Sequence, residues 1–214
     1  MTTDPGAIVL LDRHAIDAHV HRLGREIARD HPDGVVLVGV LMGALIFLAD
    51  LARAIVDVDV TIDFISISRF APDSGRVKIL HDLGTDISGR DVVVVEDIVD
   101  TGLTLAYLMG QLRERGPRAL SACTLLDRAS RRIVPHELRY CGLVLEDEFV
   151  LGYGLHAHDL YRNLPFIVAG DRRVVSVAPD AYVAQLYGAA AGGPGPDARI
   201  RASGSVTNER TEEP

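Results

Sequence analysis

Val92-Val93-Val94-Val95-Glu96-Asp97-Ile98-Val99-Asp100-Thr101-Gly102-Leu103-Thr104 decides the fold of this chain. Four consecutive valines read as a strand buried on both faces, the kind that fills a parallel sheet in an α/β protein. The run leads straight into Glu96, Asp97 and Asp100. Ending a buried strand in clustered negative charge is costly unless the charges hold something. In open α/β sheets ligands sit outside the carboxyl ends of the strands. Adjacent carboxylates such as Glu96 and Asp97 suit a vicinal diol, or a hard cation bound through water. Thr101, Gly102, Leu103 and Thr104 add backbone N–H groups, two hydroxyls and a glycine where a helix begins, which makes a phosphate cradle. Asp100 lies between the two, facing whatever chemistry occurs at a bound sugar phosphate. The competing reading has Asp100 and Thr101 merely capping the following helix. Capping leaves Glu96 and Asp97 unexplained.

Outward from this stretch, strands and helices alternate. Arg13 to Arg29 carries apolar residues at helical spacing (Ile16, Val20, Leu23, Ile27) and stops before His31-Pro32-Asp33-Gly34. Val35–Leu41 reads as a buried strand, and Gly43 opens a largely apolar helix. Val58–Ser68 alternates like a strand, Phe70–Gly75 reads as a mobile loop, and Val77–Leu80 as the returning strand. Leu103–Glu114 is the helix after the opening motif, and Leu120–Leu126 and Tyr140–Leu145 are further strands. The expected fold is α/β, a mostly parallel sheet flanked by helices. From about Ala189 the sequence collapses into Ala, Gly, Pro, Ser and charge, so residues 189–214 read as a disordered tail behind a domain of residues 1–188.

The chain has 214 residues, enough for one domain with a full core, and its 48% hydrophobic and 24% charged content is ordinary for a soluble protein. A net charge of −8 excludes general nucleic-acid affinity, since no excess of Lys and Arg exists to neutralise phosphates. Cys123 and Cys141 lie in apolar segments and read as buried thiols. No apolar run reaches the length of a membrane span, and the start of the chain lacks the layout of a signal peptide, so the expected compartment is the cytoplasm.

Residues Glu96 to Thr104 resemble the phosphoribosyl-pyrophosphate (PRPP) signature of the type I phosphoribosyltransferases, in the form used by the hypoxanthine-guanine branch. The resemblance extends along the chain from about Ile8 to Asp171. Val36–Gly43 is similar to that family's pyrophosphate loop, Val77–Leu80 to the strand closing its mobile loop, and Cys123–Arg128 to its base-binding strand. Asp147–Gly154 and Tyr161–Pro165 are similar to its hood. The resemblance implies displacement of pyrophosphate from PRPP by a purine ring nitrogen, with Mg²⁺ bound, in a homodimer or homotetramer. It also implies a hood built from the N-terminal segment and residues of about 140–175. By the match, Asp100 is the base near the purine, Glu96 and Asp97 are ribose and metal contacts, and Thr101–Thr104 hold the 5′-phosphate. Phe149 stacks on the purine and the Val150 main chain reads its edge. Met42 and Gly43, with Arg162, contact pyrophosphate.

Four places depart from the family pattern. Met42 stands where a Lys or Arg is usual, removing a positive charge. Arg69-Phe70 replaces a Ser-Tyr pair on the mobile loop. Arg128 replaces the lysine that reads a 6-oxopurine, and its planar fork implies a shifted base preference; the competing reading places it in a solvated basic turn with Arg131 and Arg132. His156 replaces a metal-binding aspartate, which raises Mn²⁺ as an alternative to Mg²⁺ because imidazole is a poor ligand for magnesium. Two functions of different class therefore stand: a purine phosphoribosyltransferase, or a catalytically weak PRPP- or nucleotide-sensing regulatory protein on the same fold.

Overall fold

The computed structural model describes residues 6–68 and 78–190. Its larger sheet has six strands: β2 (Val35–Val40), β3 (Val60–Ile67), β4 (Ile79–His81), β5 (Asp91–Val99), β6 (Ala119–Asp127) and β7 (Tyr140–Val144), in the order β4-β3-β2-β5-β6-β7. All pairings are parallel except β3 with β4. Helices α1 (Arg13–Asp30) and α2 (Leu45–Ala54) cover one face, and α3 (Leu103–Arg113) covers the other.

The valine run explains this three-layer build. Strand side chains alternate between faces. Val93 and Val95 accordingly pack with Ile16, Leu23, Phe47 and Leu51 from α1 and α2, while Val92 and Val94 pack with Leu105, Leu108 and Leu112 of α3. All four valines are fully buried. Each contributes on the order of 1.5–3 kcal/mol by leaving water, so β5 anchors both cores at once. The α1 helix starts where the Asp12 carboxylate accepts a hydrogen bond from Ala15 N at 2.8 Å.

A second sheet is antiparallel, with the order β1-β9-β8 from β1 (Ile8–Leu11), β8 (Phe149–Leu151) and β9 (Ile167–Gly170). It packs with α4 (Arg172–Val177) and α5 (Val183–Ala190) over a third core that holds Tyr161, Leu164, Val168, Tyr182 and Leu186. Residues of about 140–175 were expected in the hood, but Tyr140–Val144 is instead the edge strand of the larger sheet, drawn there by parallel pairing with β6. Other boundaries also shift. The α2 helix begins at Leu45 rather than Gly43, because Leu41–Gly43 turns toward the sheet's carboxyl edge. The α5 helix runs to Ala190, past the expected start of the tail. Arg69, Phe70, the rest of the expected loop and residues 191–214 lie outside the described residues. Cys123 and Cys141 are unpaired thiols, and burial raises the pKa of both, that of Cys141 to about 11. No helix among the described residues is long and apolar enough to cross a membrane.

Candidate active site

The carboxyl ends of β2, β5 and β6 converge on the residues singled out by the sequence. Glu96 and Asp97 lie inside β5 itself, before the chain leaves the sheet. Asp97 Oδ1 accepts from Ile98 N at 2.8 Å. Its Oδ2 comes so close to Gly43 that a Cβ there would sit 2.0 Å away. Gly43 is therefore required by contact, since any side chain would displace the Asp97 carboxylate. Met42 is exposed, and the Leu41–Met42 peptide bond is cis. A Cβ on Gly154 would in turn meet Gly43 O at 2.4 Å. Gly154 O accepts from Arg162 Nη1 at 2.7 Å, and Gly154 N donates to Arg162 O at 2.8 Å. Asp97, Gly43, Gly154 and Arg162 thus form one contiguous wall, which joins residues distant in sequence.

The turn into α3 follows β5 directly. Gly102 has a φ of +80° and a Cβ there would meet Val134 O at 2.5 Å, so glycine is dictated twice over. Thr101 O accepts from Ile133 N and Val134 N, and Thr101 Oγ1 accepts a long 3.4 Å bond from Leu103 N. No side chain caps α3 at Gly102, and Asp100 points elsewhere. Thr101 makes only a long contact with the first N–H of α3, and capping does not account for Asp100, which bonds Arg128 instead.

Asp100 faces Arg128. Its Oδ2 accepts from Arg128 Nη1 at 3.2 Å, while Oδ1 is buried with no hydrogen-bond partner among the described residues. Arg128 is only 4% exposed, and its Nη2 donates to Glu148 O in the chain entering β8. This overturns the solvated basic turn as a reading of Arg128; Arg131 fits that description, reaching Asp147 at the surface. The Arg131 hydrogen bond lowers the Asp147 pKa. Arg132 pairs with Asp127, and its Cδ would meet a Cβ on Gly102 at 2.9 Å. Its Nε and Nη1, Arg128 Nε and Glu148 Oε2 are likewise buried without partners among the described residues. Buried polar atoms are nearly always paired in folded proteins, so this concentration of exceptions marks a place where a ligand belongs.

Phe149 is half-buried in β8, with the Arg172 guanidinium 5.2 Å from its ring centroid, and Val150 pairs with Ala169 in the small sheet. His156 Nδ1 accepts from Asp159 N at 3.1 Å and lies 3.6 Å from Asp159 Oδ1, which also meets Arg162 Nη2 at 3.5 Å. No cluster of three or more His, Cys, Asp or Glu arranged to hold a metal occurs among the described residues. Sequence reading missed Arg132, Glu148 and Gly154. It also missed the left-handed backbone at Tyr153, His158, Asp159 and Tyr161, a set of non-glycine residues in a conformation that is uncommon away from functional sites.

Residues 9–158 match the family described as Phosphoribosyl transferase domain. The chain belongs to that family. This phosphoribosyltransferase is 42% identical over 182 residues to the hypoxanthine-guanine phosphoribosyltransferase of Mycobacterium avium, covering 79% of this chain and 89% of that protein. It is 42% identical over 165 residues to the hypoxanthine phosphoribosyltransferase of Escherichia coli (strain K12), covering 74% and 92%. Among solved structures, a hypoxanthine-guanine phosphoribosyltransferase from Bacillus anthracis with HEPES in its active site matches with a TM-score of 0.72 at 41% identity, covering 76% of this chain and 98% of that one. These relatives are named as enzymes, and they lend no support to a regulatory, sensing role. The chain is an enzyme of the phosphoribosyltransferase type.

Proposed function

We infer that the enzyme transfers the 5-phosphoribosyl group of PRPP to a ring nitrogen of hypoxanthine, guanine or a related purine-like base, giving the nucleoside 5′-monophosphate and pyrophosphate. The observation that carries this reading is the position of Asp100. Its carboxylate, two residues before the Gly102 turn, is bonded to Arg128, which also reaches the chain entering the hood strand β8. A base bound under Phe149 would meet Asp100 and Arg128 together, and the phosphate would lie on the Thr101–Thr104 backbone. Departure of pyrophosphate leaves a ribosyl centre with cationic character, as in glycoside chemistry. Asp100 offers that centre negative charge and takes the proton released by the purine nitrogen. Arg162 and the Met42-Gly43 backbone hold the leaving anion, and Phe149 and Val150 orient the base.

Asp97 presents hard carboxylate oxygens beside Gly43, and with Glu96 at the preceding position of β5 it offers oxygen donors of the kind Mg²⁺ takes, completed by water and PRPP oxygens. Bound there, Mg²⁺ would neutralise charge on the leaving pyrophosphate. His156 fits less well: Nδ1 accepts from Asp159 N, and imidazole is a poor ligand for a cation that prefers hard oxygens. The proposal extends to action in the cytoplasm as a homodimer or homotetramer. The test is a panel of purines offered with PRPP and either Mg²⁺ or Mn²⁺, scored by pyrophosphate release. Turnover of a 6-oxopurine is expected. Failure of every base, with PRPP still raising the melting temperature, would refute catalysis.

A further inference from the structure

Arg162 sits between two residues that share one partner. The Tyr187 hydroxyl accepts from Tyr161 N at 3.2 Å and donates to Asn163 Oδ1 at 2.7 Å. A single oxygen thus ties the chain on both sides of Arg162. Tyr187 belongs to α5, beyond the residues 9–158 that match the family. The held segment needs holding: Tyr161 is fully buried with a φ of +76°, a left-handed conformation that a bulky residue adopts only when its surroundings impose it. The ring of Tyr187 stacks on that of Tyr161 at a centroid distance of 6.3 Å. Ring packing and hydroxyl clamp are therefore separable. Removing the oxygen leaves the stack in place.

From Tyr161 the geometry leads to the pyrophosphate wall. Arg162 is bonded to Gly154 through both its guanidinium and its carbonyl, and Gly154 abuts Gly43. We propose that Tyr187 is a positioning residue for pyrophosphate: its hydroxyl fixes the backbone at Tyr161 and the Asn163 side chain so that Arg162 meets the leaving group from a preset direction. The proposal rests on the reading of Arg162 as a pyrophosphate contact, and the test separates the two.

Binding of magnesium pyrophosphate and of inosine monophosphate is measured by calorimetry on the full chain, beside thermal melts. Tyr187→Phe should weaken pyrophosphate about three- to tenfold, the scale of one or two lost hydrogen bonds. Inosine monophosphate binding and the melting temperature should stay near those of the parent enzyme. Asn163→Ala should weaken pyrophosphate in the same direction and add little in the Tyr187→Phe background, since both act through one contact. Gln185→Ala, which cuts a different α5 anchor to Ala7, should lower the melting temperature and leave pyrophosphate affinity unchanged. Arg162→Met tests the underlying reading. If it leaves pyrophosphate binding intact, Arg162 is no pyrophosphate contact and the proposal falls with it. If Arg162→Met weakens binding but Tyr187→Phe does not, the reading stands and the role of Tyr187 is refuted. Equal loss of both ligands in Tyr187→Phe, with a lowered melting temperature, would make Tyr187 merely structural and also refute the proposal.

Discussion

The two ends of the larger sheet carry similar side chains arranged to opposite effect. At the amino ends of the strands, His31 Nδ1 bonds Asp91 Oδ2 at 2.8 Å and His31 Nε2 meets the Tyr140 hydroxyl at 3.1 Å. Tyr140 and Arg139 both reach Asp30, and Arg118 Nε donates to Asp91 Oδ1 at 2.7 Å. Asp91 and His31 are buried, and each has its partners. At the carboxyl ends, Asp100, Arg128, Arg132 and Glu148 leave polar atoms buried and unmatched among the described residues. A saturated network rigidifies, and an unsaturated one waits for a ligand. The same sheet is closed at one edge by internal bonds and left chemically open at the other.

If this division holds, changes at the open end alter turnover with little effect on stability, and changes at the closed end do the reverse. The largest effect is expected at Asp100. Asp100→Asn should cut the rate of pyrophosphate release by about a hundredfold or more, within the range typical of losing a positioned proton acceptor. Its denaturant midpoint should stay close to that of the parent, and a large stability loss would contradict the comparison.

At the closed end, Asp91→Ala should cost about 2–3 kcal/mol in urea unfolding, because it strands His31 and Arg118, with Arg118's exposure reducing the loss. Turnover of the folded fraction should be retained. The pH dependence carries the same signature. The Arg118 hydrogen bond, aided by His31, lowers the Asp91 pKa from 3.8 to about 2 in the folded protein. Its stabilisation is therefore complete above about pH 4 and lost as pH falls toward 2. Urea midpoints measured across that window should drop less steeply in Asp91→Asn than in the parent.

Smaller effects belong to the substituted site positions. Arg128→Lys keeps the charge but cannot bridge Asp100 and Glu148 O with two separate nitrogens. It should change the ratio of kcat/KM between hypoxanthine and other purines by about three- to tenfold. An unaltered profile would show that Arg128 acts on Asp100 and the hood rather than on the base. His156→Asp should lower the Mg²⁺ concentration for half-maximal activity by a few-fold, since it adds a hard oxygen ligand.

The open end was the more legible of the two in the sequence, because its chemistry is local. Glu96 to Thr104 is continuous in the chain, and the valines before it announce the strand that carries it. The closed end gave no such signal: His31, Asp91 and Tyr140 are scattered, and each reads alone as an ordinary loop or strand residue. The strands of the hood were legible only through the family resemblance, for a different reason. Phe149–Leu151 and Ile167–Gly170 are too short to show a period, and the segment between them takes left-handed turns at non-glycine residues that no propensity foretells. The Arg128–Asp100 contact and the Tyr187 clamp are products of tertiary packing, invisible until the chain is folded.

The pairing of β1 with β9 has a consequence for how this enzyme is made. The strand Ile8–Leu11 finds its partner in Ile167–Gly170, and Ala7 is held through both its N–H and its carbonyl by the side chain of Gln185. On the ribosome, the first described strand must wait for nearly the whole described chain before it can be seated. The six-stranded sheet uses nothing beyond Val144 and can assemble in the meantime. The nascent chain therefore completes the Gly102 turn early and the small antiparallel sheet last. The small sheet closes when two segments far apart in the chain, β1 and β9, meet.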